Sequence, residues 1–310
     1  MKYIYSVIIP HHNIPQLLHR CLQSVPCRDD VQIIVVDDKS DKCYLPVLKQ
    51  MESFFPWVSF IYLEEGHGAG YARNIGLKKA IGKYVLFADA DDFFMPCLNQ
   101  VFNDYAKYDY DIVFFNANSL DTDTYLAAYR CLHLNGMMHR YIRKPEKAIF
   151  NLKYAFGEPW CKMVRRELIM KNYICFSETI IHNDTKFSYL VGYFGHNVLV
   201  DNRAIYCVTD RVGSVSKCVS VERLLVRTAV FAEANKFFHD HGIKRFDDRA
   251  LRPLMRFIIK GDIFHAKESI HIMKNNGMTS LSIFFHCLCL PFYQIDKRDV
   301  IFKRLVSKLI

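Results

Sequence analysis

Apolar and polar positions along the first 118 residues fall into blocks that alternate strand with helix. Tyr3 to Pro10 is a β-branched apolar run closed by proline, and Leu17, Leu18, Cys21, Leu22 and Val25 recur at helical spacing behind it. Val31 to Val36 is a second apolar run, ended by the polar cluster Asp37-Asp38-Lys39-Ser40. The pattern predicts a helix around Cys43 to Phe54 and a strand at Val58 to Leu63. After a loop punctuated by Gly66, Gly68 and Gly70, it predicts a helix from Ala69 to Ile81 with Gly82 as its stop. Lys83 to Ala88 and Asp111 to Asn116 complete five strands. Uninterrupted apolar strands separated by helices imply a mostly parallel sheet covered on both faces, a Rossmann-like α/β layout.

Residues 119–217 are less regular. Short helices are expected, among them Val164 to Lys171 and Thr185 to Tyr193, and a strand near Val198 to Val208. From Val219 onward the pattern is helical, with Gly242, Gly261 and Gly277 where helix stops belong. Three regions follow: 1–118, 119–217 and a helical C-terminal region, 218–310.

In open α/β sheets, ligands bind outside the carboxyl ends of the strands. The polar clusters His11-His12-Asn13, Asp37-Asp38 and Asp89-Ala90-Asp91-Asp92 all follow strand ends, so they should converge on one cleft. Two carboxylates one residue apart, as in Asp89 and Asp91, suit a hard divalent cation completed by phosphate oxygens and water. An acidic loop capping the next helix would read the same way. Asp37-Asp38 suits either an Asx-type turn or contacts to a base or ribose. Gly66-His67-Gly68-Ala69-Gly70-Tyr71-Ala72-Arg73-Asn74 allows close backbone approach at a helix start and puts a guanidinium on its first turns. It is not a dinucleotide fingerprint, since Tyr71 stands where the third glycine belongs. Asp184 reads either as a general base or as the N-cap of the helix it precedes.

Composition narrows the classes. The chain is 310 residues long, 51% hydrophobic, and carries a net charge of +9, which suits an anionic partner. No recognised nucleic-acid module accompanies that charge. Eleven cysteines without a CxxC pair give neither a zinc site nor a disulfide framework and fit a reducing cytoplasm. Leu281 to Tyr293 is too short an apolar stretch to span a bilayer. Ile301, Phe302, Leu305, Val306, Leu309 and Ile310 form one apolar face flanked by Lys303, Arg304 and Lys308. Residues 281–310 are therefore expected either to lie on the inner face of an anionic membrane or to dock on protein, including a second subunit as a homodimer.

The ordered series of motifs resembles the family 2 glycosyltransferases with the GT-A fold. It runs Ser6-Val7-Ile8-Ile9-Pro10-His11-His12-Asn13, Val35-Val36-Asp37-Asp38-Lys39-Ser40-Asp41, Gly70-Tyr71-Ala72-Arg73-Asn74-Ile75-Gly76 and Gly82-Lys83-Tyr84-Val85-Leu86-Phe87-Ala88-Asp89-Ala90-Asp91-Asp92. Trp160-Cys161-Lys162, Phe176-Ser177-Glu178, Asn183-Asp184-Thr185 and Arg211-Val212-Gly213-Ser214-Val215-Ser216 continue it, over roughly residues 3–217. The resemblance implies an inverting, metal-dependent transfer of sugar from a nucleoside-diphosphate donor, most simply a UDP-sugar, to an acceptor hydroxyl on a glycan or lipid-linked acceptor in cell-surface polysaccharide synthesis. Region 1–118 would hold the nucleotide sugar and 119–217 the acceptor. Pro10, His12, Asn13, Asp37, Asp38, Arg73, Asp89, Trp160 and Arg211 would form the donor site, with Asp38 on the base. Asp91, with Asp89, would hold Mn²⁺ or Mg²⁺, and Asp184 would be the catalytic base. Ser214 would lie near the donor. The family commonly has Tyr at His12 and Glu at Asn183. A sugar nucleotidyltransferase would need a Gly-rich loop after the first strand, where this chain has His-His-Asn-Ile-Pro; a non-catalytic nucleotide-sugar scaffold would keep the fold and lose turnover.

Overall fold

The computed structural model describes residues 3–211 and 220–290. The first apolar runs become β1 (Tyr5–His11), β2 (Val31–Asp37), β3 (Val58–Tyr62) and β4 (Tyr84–Phe87), all parallel, in the order β3-β2-β1-β4. Both faces of β1 are buried, as a central parallel strand requires. The intervening helices are α1 (Pro15–Ser24), α2 (Leu45–Phe54) and α3 (Ala69–Lys79). Helix α2 begins later than its apolar pattern, because Pro46 is accommodated only in a first turn. Gly82 is not the stop of α3, which ends at Lys79. Its missing Cβ instead lets the chain pass the backbone of Tyr5 and Ser6, where a Cβ would stand 2.6 Å from the Tyr5 carbonyl carbon.

Past β4 the sheet turns mixed. β5 (Phe93–Phe94), α4 (Leu98–Tyr105), β6 (Ile112–Asp121), α5 (Leu132–Tyr141) and α6 (Pro145–Tyr154) lead to β7 (Lys162–Arg165). β7 pairs antiparallel with both β4 and β6, so the sheet reads β3-β2-β1-β4-β7-β6-β8-β5, with β8 spanning Val198–Asp210. The pattern over Val164 to Lys171 reads as one helix, but its first residues finish β7, and α7 occupies Arg166–Lys171. Met163 and Val164 are fully buried between β4 and β6, and that burial overrides local helical preference. Residues 1–118 and 119–217 thus share one sheet and one core, running from Tyr5 to Val208.

Helix α8 (Thr185–Phe194) lies close enough to α6 that a Cβ on Gly192 would collide with the Lys153 carbonyl. By contacts the chain forms two compact units, one of residues 1–179 and 183–217, the other of 180–182 and 218–310. The second contains α9 (Val221–Asp240), a short 3-10 turn (Asp248–Ala250), α10 (Arg252–Ile259), α11 (Ile263–Asn275) and a helix over 280–290. Its core gathers Leu224, Leu251, Leu254, Phe257, Met273 and Ile283. Gly242, Gly261 and Gly277 follow α9, α10 and α11 with positive φ, as left-handed helix stops. No described helix is long and apolar enough to cross a membrane. The amphipathic run over 301–310 and Ser214 lie outside the described residues.

Gly192→Ala should destabilise the fold by about 1–3 kcal/mol through overpacking of α8 on α6. Denaturant unfolding checks this; an unchanged midpoint would mean the two helices separate freely.

Candidate active site

β1, β2 and β4 run parallel, so His11, Asp37 and Phe87 end at the same edge of the sheet. The loops leaving that edge are stitched together. The Asp37 carboxylate takes the His11 ring at 2.7 Å, the Ser40 amide at 2.9 Å and the Ser40 hydroxyl. Burial alone would raise its pKa, but the hydrogen bonds from His11 and Ser40 hold it below the usual carboxylate range. Asp37 is only 2% exposed, and those bonds spend its oxygens on internal partners. It holds the rim together through His11 and Ser40. Asn13 sits at φ 57° and exchanges hydrogen bonds with Asp41. His12 is exposed, and its Nδ1 meets the Asp38 carbonyl at 2.9 Å. Pro10 pairs in register with Val36, just inside the rim.

Asp38 is placed otherwise. Its carboxylate accepts the amides of His67 at 2.9 Å and Gly68 at 2.7 Å, at the mouth of α3. Gly68, at φ 88°, supplies the left-handed turn that aims these amides. One turn into α3, Arg73 is 5% exposed and forks between Asp89 Oδ1 at 2.6 Å and Asn183 Oδ1 at 2.9 Å. This one guanidinium joins the loop after β4 to the segment before α8. Asn183 stands where the family commonly has Glu, and its amide oxygen accepts from Arg73 without adding charge. Gly70 makes the approach possible, since a Cβ there would strike the Ser177 carbonyl, and Asn74 exchanges two hydrogen bonds with the Phe176 backbone.

The three carboxylates after β4 divide. Asp92 is buried and accepts the Thr209 amide; burial, then Asp89 and Asp91, push its pKa well up. Asp89 pairs with Arg73, and its amide donates to the Tyr206 hydroxyl oxygen at 2.8 Å. Asp91 pairs with Arg211 Nε at 2.9 Å, and its carbonyl takes Arg20 and Thr209. Among the described residues no three His, Cys, Asp or Glu side chains gather to hold a metal unaided. Asp89 and Asp91, each hydrogen-bonded through one oxygen to an arginine, fit a hard cation completed by diphosphate oxygens.

Asp184 occupies the N-cap position of α8, yet its side chain makes no capping hydrogen bond. The structural alternative for this carboxylate is therefore not realised. Burial first, then Glu158 and Asp89, raise its pKa to about 6 against the opposing Arg73 and Lys162. Lys162, in β7, is 2% exposed and donates to the Phe156 and Glu158 carbonyls and to Ser188 Oγ, one turn past Asp184. Burial lowers its pKa to about 7. Sequence reading left Lys162 out of the site, although a lysine beside Met163 and Val164 in an apolar strand was a signal. Trp160 stacks on Tyr206 at 5.7 Å, and so packs behind Asp89. Arg73 joins Asp89 and Asn183 directly, Asp184 follows Asn183 in the chain, and Lys162 reaches the same helix through Ser188; Asp38 is linked through α3, Asp91 and Arg211 through the loop after β4.

A family model described as glycosyl transferase family 2 matches residues 6–172, more than half of the chain. The chain belongs to that family. As a family 2 glycosyltransferase it is similar to the cholesterol galactosyltransferase of Borreliella burgdorferi, 26% identical over 258 residues, covering 76% of this chain and 72% of that one. Its fold is that of Staphylococcus aureus TarS residues 1–349, solved with UDP-GlcNAc: TM-score 0.58, 18% identity, 89% of this chain and 92% of that chain covered. The mannosyltransferase PcManGT from Pyrobaculum calidifontis, solved with GDP-Man and Mn²⁺, superposes with TM-score 0.51 at 14% identity, covering 95% and 81%. These likenesses establish the GT-A fold of the glycosyltransferase.

A carboxyl whose folded pKa is raised binds more protons folded than unfolded between pH 3.8 and about 6, so stability falls as pH rises through that window. Asp184→Asn should therefore be more stable than the parent at about pH 7, on the order of 1–2 kcal/mol, with the gain vanishing near pH 4. Chemical unfolding at both pH values checks the sign; an Asn variant less stable at neutral pH would mean Asp184 is held by a partner.

Proposed function

We propose that this glycosyltransferase moves a sugar from a UDP-sugar to an acceptor hydroxyl in cell-surface polysaccharide synthesis, with inversion at the anomeric carbon. The observation that carries the reading is Asp184: a carboxylate at a helix start that caps nothing, raised to about 6, beside the Arg73–Asp89 pair. That is the position and basicity a general base needs.

Each residue then has work that its surroundings permit. Asp38, fixed by two loop amides, keeps lone pairs to accept the base N–H, and His12 and Asn13 border it. Asp89, oriented by Arg73, accepts hydroxyls of the ribose or sugar. Asp91 and Asp89 would hold a divalent cation, whose Lewis acidity neutralises charge on the departing diphosphate. Arg211, already beside Asp91, adds a second positive group there. Lys162 ties Glu158 and Ser188 in place, so Asp184 faces the acceptor from a fixed helix end. Asp184 takes the acceptor proton as the oxygen attacks, and no covalent sugar–protein intermediate is required. TarS was solved with UDP-GlcNAc and PcManGT with GDP-Man and Mn²⁺; both support a nucleotide-sugar donor, and the first favours uridine here. A scaffold without turnover would have no use for an uncapped, basic Asp184.

Thermal shift and donor turnover test this. UDP with Mn²⁺ at a hundredfold excess over Kd should stabilise the protein by about 2.7 kcal/mol, and Asp91→Ala should abolish the metal-dependent part. A shift with GDP and none with UDP would overturn the base assignment. Binding without turnover of any UDP-sugar, unchanged in Asp91→Ala, would support the scaffold instead.

A further inference from the structure

The segment that follows β6 mixes polar and aromatic residues: Thr122-Asp123-Thr124-Tyr125-Leu126-Ala127-Ala128-Tyr129-Arg130. Its large side chains face solvent. Tyr125 is 65% exposed, Leu126 69% and Tyr129 46%. Such apolar surface left in water is unfavourable, and gathered on one loop it marks a binding surface. The loop is fixed at both ends. Asp121 Oδ1 accepts the Asp123 amide at 3.1 Å, the Thr124 amide at 2.9 Å and the Thr124 hydroxyl at 2.8 Å. The Tyr125 amide donates back to the Asp121 carbonyl at 3.0 Å, and the Asp121 amide to the Leu126 carbonyl at 2.9 Å. Past them the Ala128 amide donates to the Ser119 carbonyl at 2.9 Å, and buried Cys131 donates to the Asn118 carbonyl. Closing this turn leaves Tyr125 at φ 57°, a left-handed conformation that a bulky side chain adopts only when its surroundings impose it. Strain of this kind concentrates at ligand-binding positions.

The sheet puts this loop at the reacting edge, within the first compact unit. β7 is antiparallel to both β4 and β6, so β6 runs parallel to β4 and its carboxyl end emerges on the edge where Asp89 and Asp91 follow β4. Two hydrogen bonds join the loop to the carboxylates. Arg130 Nη1 donates to the Thr209 carbonyl at 2.8 Å, and Thr209 Oγ1 donates to the Asp91 carbonyl at 2.7 Å. On the Asp184 side, Lys162 donates to Ser188 of α8 and pairs in register with Phe114 of β6. From Phe114 the strand continues to Asp121 before the loop begins. The loop therefore stands outward of the transfer point, on the strand next to β7. Exposed tyrosines beside sugar chemistry suit sugar rings. A pyranose presents a face of C–H groups with partial positive charge, and the π face that meets it is negative. Tyrosine supplies that contact at little cost in conformational freedom. The exposed Asp123 and Arg130 beside it offer partners for the ring hydroxyls.

We propose that Tyr125, Leu126 and Tyr129 form a sugar-stacking platform for the acceptor, and that the acceptor is a chain of sugars. Its reacting hydroxyl meets Asp184, while an earlier sugar of the same chain rests on the platform farther out along β6. The assignment to the acceptor rests on the transferase reading above; the affinity of the loop for sugar rings does not.

Saturation-transfer NMR on the full chain tests the platform, with UDP and Mn²⁺ present to fill the donor site. The probes are maltotetraose, cellotetraose and chitotetraose, the monosaccharides glucose and N-acetylglucosamine, and dodecyl maltoside below its micelle concentration. Irradiating the protein's aromatic protons should carry saturation to the ring C–H protons of at least one tetrasaccharide, and more strongly than to its monosaccharide. The half-saturating concentration should rise about fivefold in Tyr125→Ala, the scale of one lost aromatic contact. Tyr129→Ala should act alike, and Tyr125→Phe, which keeps the ring, should bind as the parent does. Saturation of the maltoside sugar protons supports the platform; saturation of the dodecyl protons alone overturns it in favour of a lipid chain. No transfer to any tetrasaccharide, or transfer unchanged in both alanine variants, also overturns it, and equal transfer to tetrasaccharide and monosaccharide overturns the chain-of-sugars assignment. The thermal shift caused by UDP reports donor binding by itself, so failure of the donor reading and failure of the platform are told apart.

Discussion

The Arg73 guanidinium is the tie on which the catalytic geometry depends. It is 5% exposed and holds Asp89 with one nitrogen and Asn183 with another, across 110 residues of sequence. A buried guanidinium is tolerable only with such partners, and removing either would leave a charge stranded. The parallel strands fix where Asp89 emerges, α8 fixes Asp184, and Arg73 joins the two. Gly70 and Asn74 serve the same junction by letting α3 lie directly on the backbone of Phe176 and Ser177.

Electrostatic division follows from burial. Neighbouring carboxylates with identical chemistry are driven apart: Asp37 into hydrogen bonds that keep it ionised, Asp92 into an environment that favours its proton, Asp184 to a value near 6 with no cap to make. Asp89 and Asp91 are instead paired with Arg73 and Arg211. Acidic groups can then cluster at the strand ends without repelling one another out of place. Lys162 donates to Ser188 Oγ on the protein side of the same region, its charge weakened by burial.

Much of this was legible in the sequence because apolar runs report burial directly. Tyr3 to Pro10 and Val31 to Val36 are strands buried on both faces, and the polar residues that end them lie at one edge. β7 escaped because four residues are too few for periodicity, and its identity comes from β4 and β6 on either side. Asp37 and Asp38 are indistinguishable as letters. Only the direction each side chain takes from the strand separates the rim's hydrogen-bond hub from the carboxylate facing the α3 mouth.

The central claim is that Asp184 is an unspent carboxylate whose basicity is set by its burial and by the Arg73 junction. Direct titration of the Asp184 carboxyl by carbon NMR, in the parent and in Arg73→Met, tests it. A midpoint near 6 that moves higher when Arg73 is lost is the expected result, because Arg73 favours the ionised form. A midpoint in the ordinary range near 4, or one indifferent to Arg73, would contradict the account.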